Sequence, residues 1–267
     1  MTTSNPKVQN GSHFDYEKED VKHTRHDFLL NPMEITKKVV DFKETDLPEC
    51  EGLYAVVLEN CFTEAECQTL IKMAEQYAGG IWEEAMVNIG GGGQMTIKET
   101  RDCGRIIWDD ADMVDRIWKR VVYYVPEILT LKNRPDITGN GPAKRKETLQ
   151  MSRLNERMRF LRYGEGQYFR PHTDGAYVTP DGNEISFYTL HLYLNENPNG
   201  GGATTFHSYN MKREFHVEPK PGRVLIFQHR NLIHSGADVT GGTKYTLRTD
   251  LMYKKVGPDV EKWGAST

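Results

Sequence analysis

From Phe187 to Asn195 the side chains alternate with period two. Tyr188, Leu190, Leu192 and Leu194 take one face, and Thr189, His191, Tyr193 and Asn195 take the other. A strand sends successive side chains to opposite faces. One apolar and one polar, aromatic face suit an antiparallel sheet whose apolar side enters a core and whose polar side lines a cavity. Met158 to Tyr163, Thr204 to Phe206, Glu214 to Val217, Arg223 to Phe227 and Lys244 to Tyr253 continue the run as short strands separated by Gly and Pro. Helical spacing appears only before them. The pattern predicts an α+β, mainly β fold: a double-sheet jelly roll over about 157–253, with helices flanking it on the N-terminal side.

The N-terminal half supplies those helices. Leu53 to Leu58 reads as a strand. Thr63-Glu64-Ala65-Glu66 reads as a capping box, in which the Thr63 hydroxyl accepts from a free backbone N–H and Glu66 reaches back. Leu70, Met73, Ala74 and Tyr77 follow at helical spacing, and Gly79-Gly80 stops the helix. Asp110 to Val125 reads as a second helix, ended by Pro126. Ala85 to Thr100 reads as two short strands around Gly90 to Gly93. Without the lysine and helix start of a P-loop these glycines cradle no phosphate. They form either a hairpin tip or a lid. Arg101 and Arg105 either pair with surface acids or hold a substrate carboxylate. Asn133 to Glu147 reads as a solvated loop.

Residues 1–50 are charged and read as an extension packing on a single domain of 51–267, with His13, His23 and His26 as ordinary polar residues. A net charge of -4 argues against a nucleic-acid partner. No apolar run of about 18 residues is present, so no membrane partner is expected. Met1 to Asp20 lacks the apolar stretch of a secretory signal, and a cytoplasmic location is expected. Cys50, Cys61, Cys67 and Cys103 form no C-x-x-C pair and fit reduced, buried thiols. The sequence sets no oligomeric state.

His172 and Asp174 lie two apart in Arg170-Pro171-His172-Thr173-Asp174-Gly175. On an extended segment both side chains project to one side. An imidazole and a carboxylate make two-thirds of a 2-His-1-carboxylate set, which holds Fe(II) with positions left open. Alone the triplet is a weak signal. His234, after the apolar strand Val224 to Phe227, is the third candidate ligand. His229 is the nearest rival, and His207 and His216 read as satisfied polar residues. Iron of this kind needs a reductant to activate O2, and an α-keto acid supplies two electrons on decarboxylation. Its far carboxylate needs a cation, because burying it unpaired is costly. Lys244 and Arg248, four apart on one strand, are the candidates. Tyr193 and Tyr163 can add hydrogen bonds.

His172-Thr173-Asp174, Tyr193-Leu194-Asn195, Gly201-Gly202-Ala203-Thr204, Pro221 to Phe227, His234-Ser235-Gly236 and Gly242-Thr243-Lys244-Tyr245 occur in that order. Together they resemble the catalytic domain of the prolyl 4-hydroxylase-like Fe(II)/2-oxoglutarate oxygenases. The resemblance runs from about Arg157 to Tyr253, and more loosely back to Leu53. It implies a double-stranded β-helix, iron ligands His172, Asp174 and His234, and a salt bridge from Lys244 to the far carboxylate of 2-oxoglutarate. It places Tyr193 beside that bridge and Tyr163 near the chelating end. Arg248 falls where many members carry a small or apolar residue, so Lys244 and Arg248 both stand as holders of the co-substrate. The implied cofactors are Fe(II), 2-oxoglutarate and O2, with ascorbate as an optional reductant. The implied reaction is hydroxylation of an unactivated C–H in a small molecule, amino acid or prolyl peptide, releasing succinate and CO2. The alternative from another class is a catalytically inactive jelly-roll scaffold, which need hold no iron. Halogenation is disfavoured because Asp174 leaves no open position for a halide.

Overall fold

The computed structural model describes residues 34–90, 93–197 and 200–257. Contacts divide the chain into 1–32 and 33–267, and every element named below belongs to the second unit. His13, His23, His26 and Gly91-Gly92 lie outside the described residues.

The described chain opens with β1 (Thr36–Val39) and β2 (Ala55–Glu59), and the segment between them buries Phe42, Leu47 and Cys50. α1 (Glu64–Tyr77) starts at the expected capping box. The Thr63 hydroxyl accepts from the Glu66 N–H at 3.1 Å, and the Glu66 carboxylate accepts from the Thr63 N–H at 2.7 Å. Leu70, Met73 and Ala74 are buried, while Tyr77 is exposed and stacks on Trp108. β3 (Glu83–Glu84), β4 (Val87–Gly90), β5 (Gly93–Met95), β6 (Arg101–Asp102) and β7 (Gly104–Asp109) follow. α2 (Ala111–Val121) is capped by the Asp110 carboxylate. It stops short of Val125 because Pro126 disfavours helical backbone just before it, and the chain turns through short 3-10 helices instead.

After β8 (Thr130–Lys132) the expected solvated loop is two short helices, α3 (Pro135–Thr138) and α4 (Asn140–Lys144). Pro135 sits in a first turn, where its missing N–H costs nothing, and Ile137 and Pro142 are buried. β9 (Thr148–Leu154), β10 (Arg157–Tyr163), β11 (Tyr168–His172), β12 (Glu184–Tyr193), β13 (Thr204–His207), β14 (Glu214–Val217), β15 (Val224–Gln228), β16 (His234–Gly236) and β17 (Lys244–Val256) complete the order.

Two antiparallel sheets result. The larger runs β1-β2-β15-β12-β17-β10-β7-β3, with β9 also on β17 and β8 on β9. The smaller runs β14-β13-β16-β11-β6, and β4-β5 form a separate hairpin. This is the expected jelly roll. Tyr193, Leu225 and Phe227 of the larger sheet meet Phe206 and Val217 of the smaller one, with Phe42 packed edge-on to Phe206. Each such buried side chain contributes on the order of 1.5–3 kcal/mol. Cys50, Cys61, Cys67 and Cys103 are free and buried. Among the described residues no helix is long and apolar enough to cross a membrane.

The Pro221-Gly222 turn ties this core to α1. Gly222 has φ +76°, and a Cβ there would lie 1.8 Å from the Phe62 carbonyl oxygen. Gly222→Ala is expected to cost about 3 kcal/mol through strain and overpacking, seen as a fall in the urea midpoint.

Candidate active site

The site forms where β11 and β16 pair. His172 and His234 are cross-strand partners, so their rings share a face, with centroids 4.3 Å apart. The β11–β16 pairing shifts register between Phe169 and His172. In a regular strand residues three apart face opposite ways. The irregularity instead lets Phe169 stack on His172 at 3.7 Å, with the Arg101 guanidinium 4.5 Å from the Phe169 ring centre. The chain leaves β11 and brings Asp174 between the two histidines. Its carboxylate oxygens lie 3.7 Å from His172 Nε2 and 3.7 Å from His234 Nε2. All three ligand atoms fall within 4.8 Å of one another.

Backbone carbonyls orient both rings. His172 Nδ1 pairs with the Arg170 carbonyl at 2.8 Å, and His234 Nδ1 with the Leu232 carbonyl at 3.2 Å. Each pairing puts the proton on Nδ1 and leaves the Nε2 lone pair for a metal. Burial pushes the His172 pKa down to about 3, helped by His234, and burial lowers His234 as well. Neutral imidazole is the ligating form. Burial alone would raise the Asp174 carboxyl. Arg248, then His234, His229 and His172, outweigh it and hold the group ionised well below the usual carboxylate range. Thr189 Oγ1 donates to Asp174 Oδ2 at 2.5 Å, and Arg248 Nη2 lies 2.9 Å from Oδ1.

Deeper in the same cavity lies Lys244. Its side chain is buried, and among the described residues no carboxylate lies within ion-pair distance of it. Burial lowers its pKa to about 8. The Tyr163 and Tyr193 rings lie 5.2 and 5.9 Å from its Nζ. Tyr193 donates its hydroxyl to Thr204 at 2.7 Å. Gly202, in the Gly201-Gly202 pair, leaves room for the lysine stem: a Cβ there would lie 3.0 Å from Lys244 Cδ. Arg248, the other candidate cation, is engaged with Asp174 and reaches Asp250 at 3.4 Å. Arg101 lines this cavity and hydrogen-bonds Cys103 and the Met86 carbonyl. Arg105 is buried against Gln94 and lines neither this cavity nor the larger one next to it. Neither arginine has a surface acid as partner among the described residues.

That larger cavity, of about 580 Å³, meets the first at Asp174 and is lined by Ile137, Thr138, Tyr209, His229 and Arg230 among others. Sequence reasoning assigned no role to Thr189, His191 or Phe169. The first two share the polar face of β12 with Tyr193, so the alternation itself was their signal. Phe169 had none, because its place depends on the irregular pairing.

Fold and site together define a class. Residues 158–249, which hold every candidate site residue except Arg101 and Arg105, match the family model of the 2OG-Fe(II) oxygenase superfamily. Over that stretch the chain is similar to the 2OG-Fe(II) oxygenases, an enzyme class that uses Fe(II), 2-oxoglutarate and O2, and it carries a matching His172-Asp174-His234 cluster. Among solved structures, a Pseudomonas putida prolyl-4-hydroxylase is similar in fold, at 15% identity and TM-score 0.51, over 79% of this chain and 99% of that one. The viral collagen prolyl hydroxylase of Paramecium Bursaria Chlorella virus-1, with 2OG bound, matches at 19% identity and TM-score 0.47, over 77% and 98%. A Trichoplax adhaerens prolyl hydroxylase in complex with a peptide fragment matches at 14% identity and TM-score 0.48, over 89% and 94%. No curated protein matches the chain.

The residues present fit these cofactors. Two neutral imidazoles and one ionised carboxylate converge, and the cavity they line also holds a buried cation that has no carboxylate partner among the described residues.

Proposed function

We propose that the chain hydroxylates an unactivated C–H of a small molecule, amino acid or prolyl peptide at this site. Lys244 carries the reading: it is buried in the cavity that His172, Asp174 and His234 line, and among the described residues no carboxylate pairs with it. A buried charge left unpaired is costly, so a site that keeps one has a use for a dicarboxylate. Iron held by His172, Asp174 and His234 and 2-oxoglutarate held by Lys244 would supply the oxidation, releasing succinate and CO2.

The chain's own residues then do defined work. Arg170 and Leu232 carbonyls fix the ligating nitrogens. Thr189 and Arg248 hold the Asp174 carboxylate so that it meets the metal in one orientation. Lys244 would pair with the far carboxylate of the co-substrate, with the Tyr163 and Tyr193 rings on either hand. Arg248, already committed to Asp174, is the weaker candidate for that carboxylate. The apolar walls from Leu161, Phe169 and Phe227 exclude water around these charges, which strengthens each contact. The cavity of about 580 Å³ beside Asp174 lies within the usual range for small-molecule sites, about 300–1,000 Å³, and suits the substrate. Arg101 lines the smaller cavity with the three ligand candidates and Arg105 lines neither, so of the two arginines Arg101 is the better placed to meet a substrate carboxylate that reaches in from the larger cavity.

The test is succinate formation from 2-oxoglutarate with Fe(II), screened against free amino acids, small carboxylic acids and prolyl peptides. Stimulation by one class identifies the substrate. No succinate with any of them, and no iron retained by the protein, would support an inactive scaffold instead.

A further inference from the structure

Resting on that reading and going beyond it, we propose that His191 is a further co-substrate-binding residue, whose imidazole hydrogen-bonds a 2-oxoglutarate oxygen between the metal ligands and Lys244. Along the inward face of β12, Thr189 bonds the metal-ligand carboxylate at one end and Tyr193 stands beside Lys244 at the other. His191 is the residue between them and lines the same cavity. Its Nε2 is buried and has no hydrogen-bond partner among the described residues. Buried polar atoms in folded proteins are nearly always paired, so an orphan facing a ligand cavity marks a partner that arrives with the ligand.

The charge around the ring sets its form. Burial, then Lys244, Arg248 and His234, act against protonation, and Asp174 alone acts for it. The ring is therefore neutral, and a neutral imidazole can present one N–H to an anionic oxygen. Tyr193 packs against it at 4.8 Å between centroids, which holds the ring in place without using its nitrogens.

A purely space-filling role predicts something different. An orphaned nitrogen weakens the ligand-free fold, so a leucine should leave that fold as stable or more stable while harming binding. Mn(II), which binds without oxidative turnover, allows binding to be read apart from activity. In calorimetry, His191→Leu is expected to bind Mn(II) as the wild type does and to bind 2-oxoglutarate about tenfold more weakly. Its ligand-free melting temperature should equal or exceed that of the wild type, and His191→Gln should recover most of the binding. Unchanged 2-oxoglutarate affinity in His191→Leu would overturn the assignment. So would a joint loss of melting temperature and affinity that His191→Phe restores, since phenylalanine fills the space and donates nothing. If the Mn(II)-loaded wild type itself ignored 2-oxoglutarate, the oxygenase reading would fall, and this assignment with it.

Discussion

Asp174→Ala is expected to bind Fe(II) or Mn(II) at least about 100-fold more weakly than the wild type, and to release no succinate from 2-oxoglutarate. Removing a residue that merely supports a ligand costs about 10–100-fold in metal affinity, and Asp174 is a ligand itself. It is also the only anion of the three, so without it two neutral imidazoles face a divalent ion beside the Arg248 guanidinium. Asp174→Asn guards against a trivial loss of fold. The amide oxygen still accepts from Thr189, so the sheet should hold while the charge is gone. Equilibrium dialysis of metal reads the outcome directly. A variant of either kind that retained wild-type metal affinity and turnover would reject the ligand set.

Lys244→Met should leave metal binding unchanged and weaken 2-oxoglutarate about 100-fold, the scale of losing one partner of a desolvated charge pair. Methionine follows the lysine stem without its charge, so the ligand-free protein should not be destabilised. The wild type should show a matching pH dependence. Its lysine pKa, lowered to about 8 by burial, means that the cation is present below that pH and absent above it. Affinity for 2-oxoglutarate should be flat below about pH 8 and fall tenfold for each unit above. The ligand-free fold moves the other way. The unfolded chain still carries the proton there, so this group adds stability as pH rises from about 8 towards 10.5. If affinity stayed level through pH 9, or if Arg248→Met and not Lys244→Met abolished binding, the holder of the carboxylate would be Arg248.

Much of the jelly roll was readable because its strands obey a period of two. The alternation from Tyr188 to Asn195 named both faces of β12, and the capping box at Thr63 fixed the start of α1. Short spacing nominated His172 and Asp174, ordered elements nominated His234 and Lys244, and the fold brings all four to the lining of one cavity. What escaped depended on tertiary context. Pro- and Lys-rich residues 133–147 read as solvent-facing, yet Ile137 and Pro142 find a core only when the sheets are assembled. Arg101 and Arg105 read as surface charges or substrate holders. Their burial beside Phe169, Cys103 and Gln94 follows from β6 and β7 joining the two sheets, which neither arginine announces locally.

β17 carries Lys244 and Arg248 and is bonded to β12 on one side and to β10 and β9 on the other. Such a strand cannot slip or bow without breaking ladders on both flanks. On the proposed reading, contacts to the substrate fall instead at the rim around Thr138, Thr173 and Arg230, which line the neighbouring cavity and lie outside that strand. A substitution at that rim can therefore alter the larger cavity without breaking the ladders that hold Lys244 and Arg248.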